Sequence, residues 1–249
     1  MLAEEEEDNL GQSNEIMLKA QNVKKIYASG AIKIEALRGI NLEVKTCEMI
    51  AIMGPSGCGK TTLLNCLSGL DDLTEGEVTI DGVNIHKMSD NKKSEFRAKK
   101  MGFIFQSYNL LPVLTALENV ELPLLVSHVE EKTAKQKAVE TLALVGLEEW
   151  KNLKPSELSG GQQQRVAIAR SLANNPSIVW ADEPTGNLDT DNSLEIINLL
   201  RKLNREIGLT LIVVTHDQNI ANQTDRIVMM RNGVIEKSVD VSSSSSIRG

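Results

Sequence analysis

The segment Gly54-Pro55-Ser56-Gly57-Cys58-Gly59-Lys60-Thr61 follows directly on the apolar run Met49 to Met53 and fits the pattern G-x-x-x-x-G-K-[ST]. Few sequence features constrain a fold as tightly. A buried strand must end in a glycine-rich turn and pass into a helix, because only then do the turn's amides converge with the helix's unbonded N–H groups on one anion. The glycines permit the tight path, Lys60 supplies a point charge for the β and γ phosphates, and the Thr61 hydroxyl suits magnesium. A nucleoside triphosphate is therefore the expected ligand, wrapped by Gly54 to Thr62.

Short apolar runs at Met17 to Val23, Ile32 to Leu37, Ile40 to Val44, Met49 to Met53, Val78 to Ile80, Met101 to Phe105, Ile178 to Ala181, Leu211 to Val214 and Ile227 to Met230 read as strands. Asp81-Gly82 and Asn232-Gly233 mark tight turns. Strands that alternate with helical stretches predict an α/β domain with a largely parallel, buried core sheet, joined by antiparallel strands near the amino end. From Ser107 to about Ala173 the pattern is helical, which predicts a separate helical lobe inserted at 107–173. The acidic run Glu4 to Asp8 places residues 1–15 outside any strand, and Ser242 to Ser246 has nothing to bury. Both ends, 1–15 and 241–249, are expected to be disordered tails around one folded unit at 16–240.

No apolar run approaches the roughly 18 to 20 residues of a membrane span. A net charge of -7 opposes broad nucleic-acid binding, so no nucleic-acid partner is expected. Cys47, Cys58 and Cys66 are odd in number and lack C-x-x-C spacing, which suits a reducing compartment. Cys58 would make ligand binding sensitive to oxidation if its thiol were exposed. His86 and His128 fall in no ligand constellation and read as packing or surface residues.

A second site is Ser177-Ile178-Val179-Trp180-Ala181-Asp182-Glu183, an apolar strand that ends in two carboxylates. Standing alone, such a pair reads as a solvated turn. Beside a phosphate loop, Asp182 suits a magnesium ion bridging phosphates, and Glu183 suits the orientation and deprotonation of a water. A third site is Leu158-Ser159-Gly160-Gly161-Gln162, followed by Gln163-Gln164-Arg165-Val166-Ala167-Ile168-Ala169-Arg170. Ser159 with Gln162 fits a capping box, so the two glycines stand at a helix start whose bare amides favour an anion. In isolation that segment reads as a glycine-softened cap. The helix after Thr61 already serves the phosphate loop, so a spare helix start is most simply used on the nucleotide of a second molecule.

With these three motifs the chain resembles the ATPase subunits of ATP-binding cassette systems over roughly Met17 to Lys237. The resemblance implies a P-loop NTPase fold of that type, with ATP and Mg2+ as ligands and two copies sandwiching two ATP molecules. It also implies that Gln106 is the Q-loop glutamine touching magnesium and water, and that Thr61 and Asp182 join it at the metal. Asp189 of Gly186-Asn187-Leu188-Asp189 would shape the site across the dimer, and His216 of Thr215-His216-Asp217 would contact the γ phosphate. Tyr27 would stack on adenine, although a core role for this Tyr stays open. Ser159, Gly160, Gly161 and Gln162 would close over the nucleotide of the other copy.

Phe103-Ile104-Phe105-Gln106, Asn109-Leu110-Leu111-Pro112, Leu114 to Val120 and Glu183-Pro184-Thr185-Gly186-Asn187-Leu188-Asp189 are most similar to the branch that drives lipoprotein release, macrolide and peptide export, and cell-division signalling. That implies a polytopic membrane subunit whose cytoplasmic coupling helix docks near Tyr108, Leu110, Leu111, Pro112 and Leu114, with internal packing as the alternative role. The chain would then lie on the inner face of the cell membrane. Soluble cassette proteins of translation or DNA repair, and small-molecule phosphotransferases, are the other classes. A single phosphate loop, the short interval from Gln106 to Leu158 and the Leu158–Gln162 segment count against them.

Overall fold

The computed structural model describes residues 15–30 and 32–241. Three strands, β3 (Met49–Met53), β7 (Ile178–Asp182) and β8 (Thr210–Val214), are buried along all or nearly all their length. Strands apolar on both faces need cover on both sides, and the chain provides it. A six-stranded sheet runs in the order β10-β9-β3-β8-β7-β6, with β6 at Met101–Phe105, β9 at Arg226–Arg231 and β10 at Val234–Asp240. Five strands are parallel, and only the edge strand β10 pairs antiparallel with β9.

Because side chains alternate across a strand, each face of this sheet joins a different core. Val179, Ala181, Leu211 and Val213 pack with α3 (Ala116–Val126), α4 (Glu131–Leu144), α5 (Gly160–Leu172) and α6 (Thr190–Ile207). Ile178, Trp180, Ile212 and Val214 face the other way, toward α1 (Lys60–Leu67) and a second sheet. That second sheet is antiparallel, in the order β2-β1-β4-β5, with β1 at Ile16–Ser29, β2 at Ile32–Lys45, β4 at Glu75–Ile80 and β5 at Val83–Asn84. Helix α2 (Asp90–Lys100) leads into β6, and α7 (Gln218–Ala221) follows β8.

The mainly parallel core, the antiparallel β subdomain and the inserted helical subdomain match the expected architecture. Several details differ. The runs Ile32 to Leu37 and Ile40 to Val44 belong to one strand, β2, in which Gly39 is left without a register partner as a bulge. The segment from Ser107 to Thr115, expected to be helical, is a loop held from outside itself. Tyr108 and Asn109 take positive φ there, and the Arg170 guanidinium donates to both of their carbonyls. The tails expected at 1–15 and 241–249 lie outside the described residues except for Glu15 and Val241. The Glu15 carbonyl accepts from Thr46 N–H, and Val241 N–H donates to the Asp225 carbonyl, each at 2.9 Å.

Candidate functional site

Strand β3 delivers the chain to the middle of the sheet, between β8 and β9, where the phosphate loop begins. The N-cap of α1 is Gly59, at φ 104 and with no side-chain cap, so the first amides of α1 stay available for an anion. A Cβ at Gly59 would stand 2.8 Å from the Ala36 carbonyl, so glycine alone fits this left-handed position. Lys60 is 9% exposed, and its ammonium donates to the Gly54 and Pro55 carbonyls at 2.8 and 3.1 Å. A cleft of about 630 Å³ opens over the loop, lined by Ser56 to Thr62, Glu183 and the Asn232-Gly233 turn among others. Cys58 is 5% exposed and packs in the core on the α1 side of the sheet, so the exposure that oxidation requires is missing.

Asp182 ends β7, opposite Val214 of β8 and Phe105 of β6. Its Oδ1 accepts from the Thr61 hydroxyl at 3.4 Å. Burial pushes the Asp182 carboxyl above its ordinary pKa, and the neighbouring Glu183 adds to the shift against the Thr61 hydrogen bond and the Lys60 charge. A carboxylate so placed favours a cation. Among the described residues no cluster of three His, Cys, Asp or Glu suits a metal. One carboxylate and one hydroxyl beside a phosphate cradle do fit magnesium, which keeps waters and completes its shell with phosphate oxygens.

Glu183 follows with φ 48, and its N–H donates to the Val214 carbonyl at 2.9 Å. Its Oε1 lies 2.9 Å from His216 Nδ1, the histidine carried just beyond β8. The Glu183 side chain thus borders both the phosphate-loop cleft and a second cleft of about 440 Å³, which His216, Asp217, Thr185 and Leu188 help to line. Gln106, one residue past β6, donates from Nε2 to Asn187 Oδ1 at 3.2 Å, and Asn187 Nδ2 returns a bond to the Gln106 carbonyl at 3.0 Å. Its amide therefore rests on the loop after Glu183 rather than on Thr61 or Asp182. Tyr27 is 42% exposed, with its hydroxyl donating to Asp71 Oδ2 at 2.7 Å. The Lys25 ammonium lies 4.9 Å from the ring centroid.

Ser159 and Gln162 form the expected capping box at the start of α5, with bonds of 2.9 and 3.3 Å. This tip is not brought to the chain's own phosphate loop. Its glycines abut other elements: a Cβ on Gly160 would stand 3.0 Å from the Tyr108 hydroxyl, and one on Gly161 would stand 2.7 Å from Asn192 Oδ1. Asp189 caps α6, accepting from Asn192 N–H at 2.9 Å and Asn192 Nδ2 at 2.8 Å. His86 is a packing residue, bonded to the Cys66 carbonyl, and His128 is exposed.

The family described as "ABC transporter" matches residues 37–186. MJ0796, an uncharacterised ABC transporter ATP-binding protein of Methanocaldococcus jannaschii, is 49% identical over 225 residues, covering 89% of this chain and 96% of its own. The chain belongs to the ABC transporter family. Its cassette is also 46% identical to the macrolide export ATP-binding/permease protein MacB of Syntrophobacter fumaroxidans over 222 residues, 88% of this chain but 31% of that protein. A dimeric, post-hydrolysis structure of MJ0796 bound to ADP and Pi matches the cassette with a TM-score of 0.83 and 47% identity, over 90% of this chain and 99% of that one. The cassette is an ATP-binding ATPase with the ABC ATPase fold.

Several residues of the ABC cassette escaped the sequence reading. Asp71 and Lys25 fix the Tyr27 ring, and Arg170 pins the loop beyond Gln106 to α5. Burial lowers the Arg170 pKa, as desolvation of a guanidinium should. In sequence Asp71 is one of two adjacent acids and Arg170 one of two similar arginines, so only their three-dimensional partners single them out.

Proposed function

We propose that this cassette is the ATP-driven subunit of a transporter assembly, which dimerises on ATP and works on a polytopic membrane partner. One observation carries the reading: Lys60, Thr61 and Glu183 line one cleft, and Asp182 is bonded to Thr61 beneath it. In this reading Tyr27 stacks on the base, and Gly54 to Thr62 wrap the phosphates. Thr61 and Asp182 would hold magnesium, joined by Gln106 once its amide leaves Asn187, and the ion would supply charge neutralisation at the phosphates. Ser159 to Gln162 of a second copy close over the γ phosphate, with Asp189 shaping the joint. The dimeric state of the MJ0796 structure supports this arrangement.

Glu183 takes a proton from the attacking water, and Lys60 and His216 stabilise the developing charge. The contact between Glu183 and His216 orients both groups for that task. No helix among the described residues is long and apolar enough to cross a membrane. In this reading the membrane partner docks on the loop where Leu111 is 44% and Val113 74% exposed. In this reading the cassette sits on the inner face of the membrane and powers export, lipoprotein or lipid extraction, or transmembrane signalling. The macrolide export ATP-binding/permease protein MacB falls within that range.

The test is Glu183→Gln. It should bind ATP, hydrolyse it at least about 100-fold more slowly and elute as a dimer with magnesium-ATP. Normal turnover, or a monomer at saturating nucleotide, would refute the assignment.

A further inference from the structure

Gln164 lies on the first turns of α5, two residues past the capping box, and is 0% exposed. Its Nε2 donates to the Pro184 carbonyl, and among the described residues its Oε1 has no partner at all. A buried amide with an unsatisfied oxygen is a poor choice for packing, since an apolar side chain of equal volume would fill the space without that cost. What the amide does provide is a single bond, aimed at the peptide next to Glu183.

That peptide needs holding. Glu183 sits at φ 48, a left-handed conformation that a residue with a Cβ adopts only when its surroundings enforce it. Behind it, Glu183 N–H is fixed by Val214 and the Glu183 carbonyl accepts from Gly186 N–H at 3.0 Å. Ahead of it, the Pro184 carbonyl is held by Gln164 and the Thr185 carbonyl by the Ser193 hydroxyl at 3.5 Å. We infer that Gln164 is a positioning residue for ATP hydrolysis, clamping the turn that aims the Glu183 carboxylate. Because Gln164 and Ser159 to Gln162 share the start of one helix, the clamp also ties the α5 tip to the base of the same chain. The inference rests on Glu183 acting as the base.

Gln164→Met keeps the volume and removes the donor. It should lower kcat about ten-fold while leaving the KM for ATP within two-fold of the parent and preserving ATP-driven dimerisation. Combined with Glu183→Gln, it should cause no further loss in single-turnover rate, because both changes act through one carboxylate. Parent-like turnover in Gln164→Met would overturn the inference, as would a rise in KM in step with the fall in kcat. So would a full additional loss in the double variant. Should Gln164→Met fold poorly, Gln164→Leu is read by the same double-variant comparison. If Glu183→Gln itself kept normal turnover, the base assignment would fail instead, and the two failures are therefore distinct.

Discussion

Replacing Gly54 by alanine tests how closely the phosphate loop is fitted to the sheet beneath it. A Cβ there would stand 2.2 Å from the Met230 carbonyl oxygen and 2.7 Å from the Cys58 sulfur. Met230 belongs to β9, whose neighbouring Met229 is in register with Met53 of β3, so that carbonyl cannot retreat without breaking the ladder. The loop must give way instead, by about 1 Å, and a misplacement of that size costs on the order of 100-fold in rate, or about 2.7 kcal/mol. Gly57→Ala is the matched control. It has φ +75 but nothing within 4 Å of its Cβ, so it meets left-handed strain of about 1 to 2 kcal/mol without a collision. Phosphate release should show kcat/KM down about 100-fold for Gly54→Ala and at most about 30-fold for Gly57→Ala. Equal losses in the two variants, or a Gly54→Ala enzyme within about three-fold of the parent, would refute the steric argument.

Three further outcomes follow from the site and its supports. Burial raises the Asp182 pKa, so in the nucleotide-free protein this group costs stability as pH rises from about 4 through its folded value. Asp182→Asn should therefore raise the melting temperature at neutral pH while lowering magnesium-dependent turnover by about 100- to 1000-fold, and an unchanged or lower melting temperature would contradict the assignment. Burial pushes the Asp71 carboxyl up, but its bonds to Lys25 and Tyr27 outweigh that and hold it below its ordinary value. Its contribution to stability is present above about pH 4 and lost as pH falls through the depressed value. Asp71→Ala frees the Tyr27 ring, so KM for ATP should rise about three- to ten-fold with kcat unchanged, and steady-state kinetics decide the point. Arg226 joins the sheets by donating to Glu48 at 2.6 Å and to the Glu43 carbonyl at 2.7 Å. Glu48→Gln should cost about 2 kcal/mol, read as a melting temperature lower by about 4 to 8 °C with kcat unaffected.

The parallel strands were legible because β3, β7 and β8 are unbroken apolar runs, as burial on both faces demands. Strand β10 was not, since only Ile235 and its neighbour Val234 offer apolar surface at its start and most of the strand is exposed. The Asn232-Gly233 turn announced the hairpin, but nothing in Val234 to Asp240 repeats with a clear period of two. The bulge at Gly39 split β2 in the reading because a glycine between two apolar runs looks like a turn. At the site, residues with a motif of their own could be proposed from the sequence, whereas those defined by a partner could not. Gln162, Gln163 and Gln164 are identical side chains in a row, and only burial and the Pro184 carbonyl distinguish the third.

The Lys60 ammonium grips the Gly54 and Pro55 carbonyls of its own loop. The backbone of the loop thus holds the cation in place, which leaves little side-chain ordering for a bound anion to impose. Nucleotide uptake by a single subunit should then be limited by encounter and charge rather than by slow rearrangement of the loop.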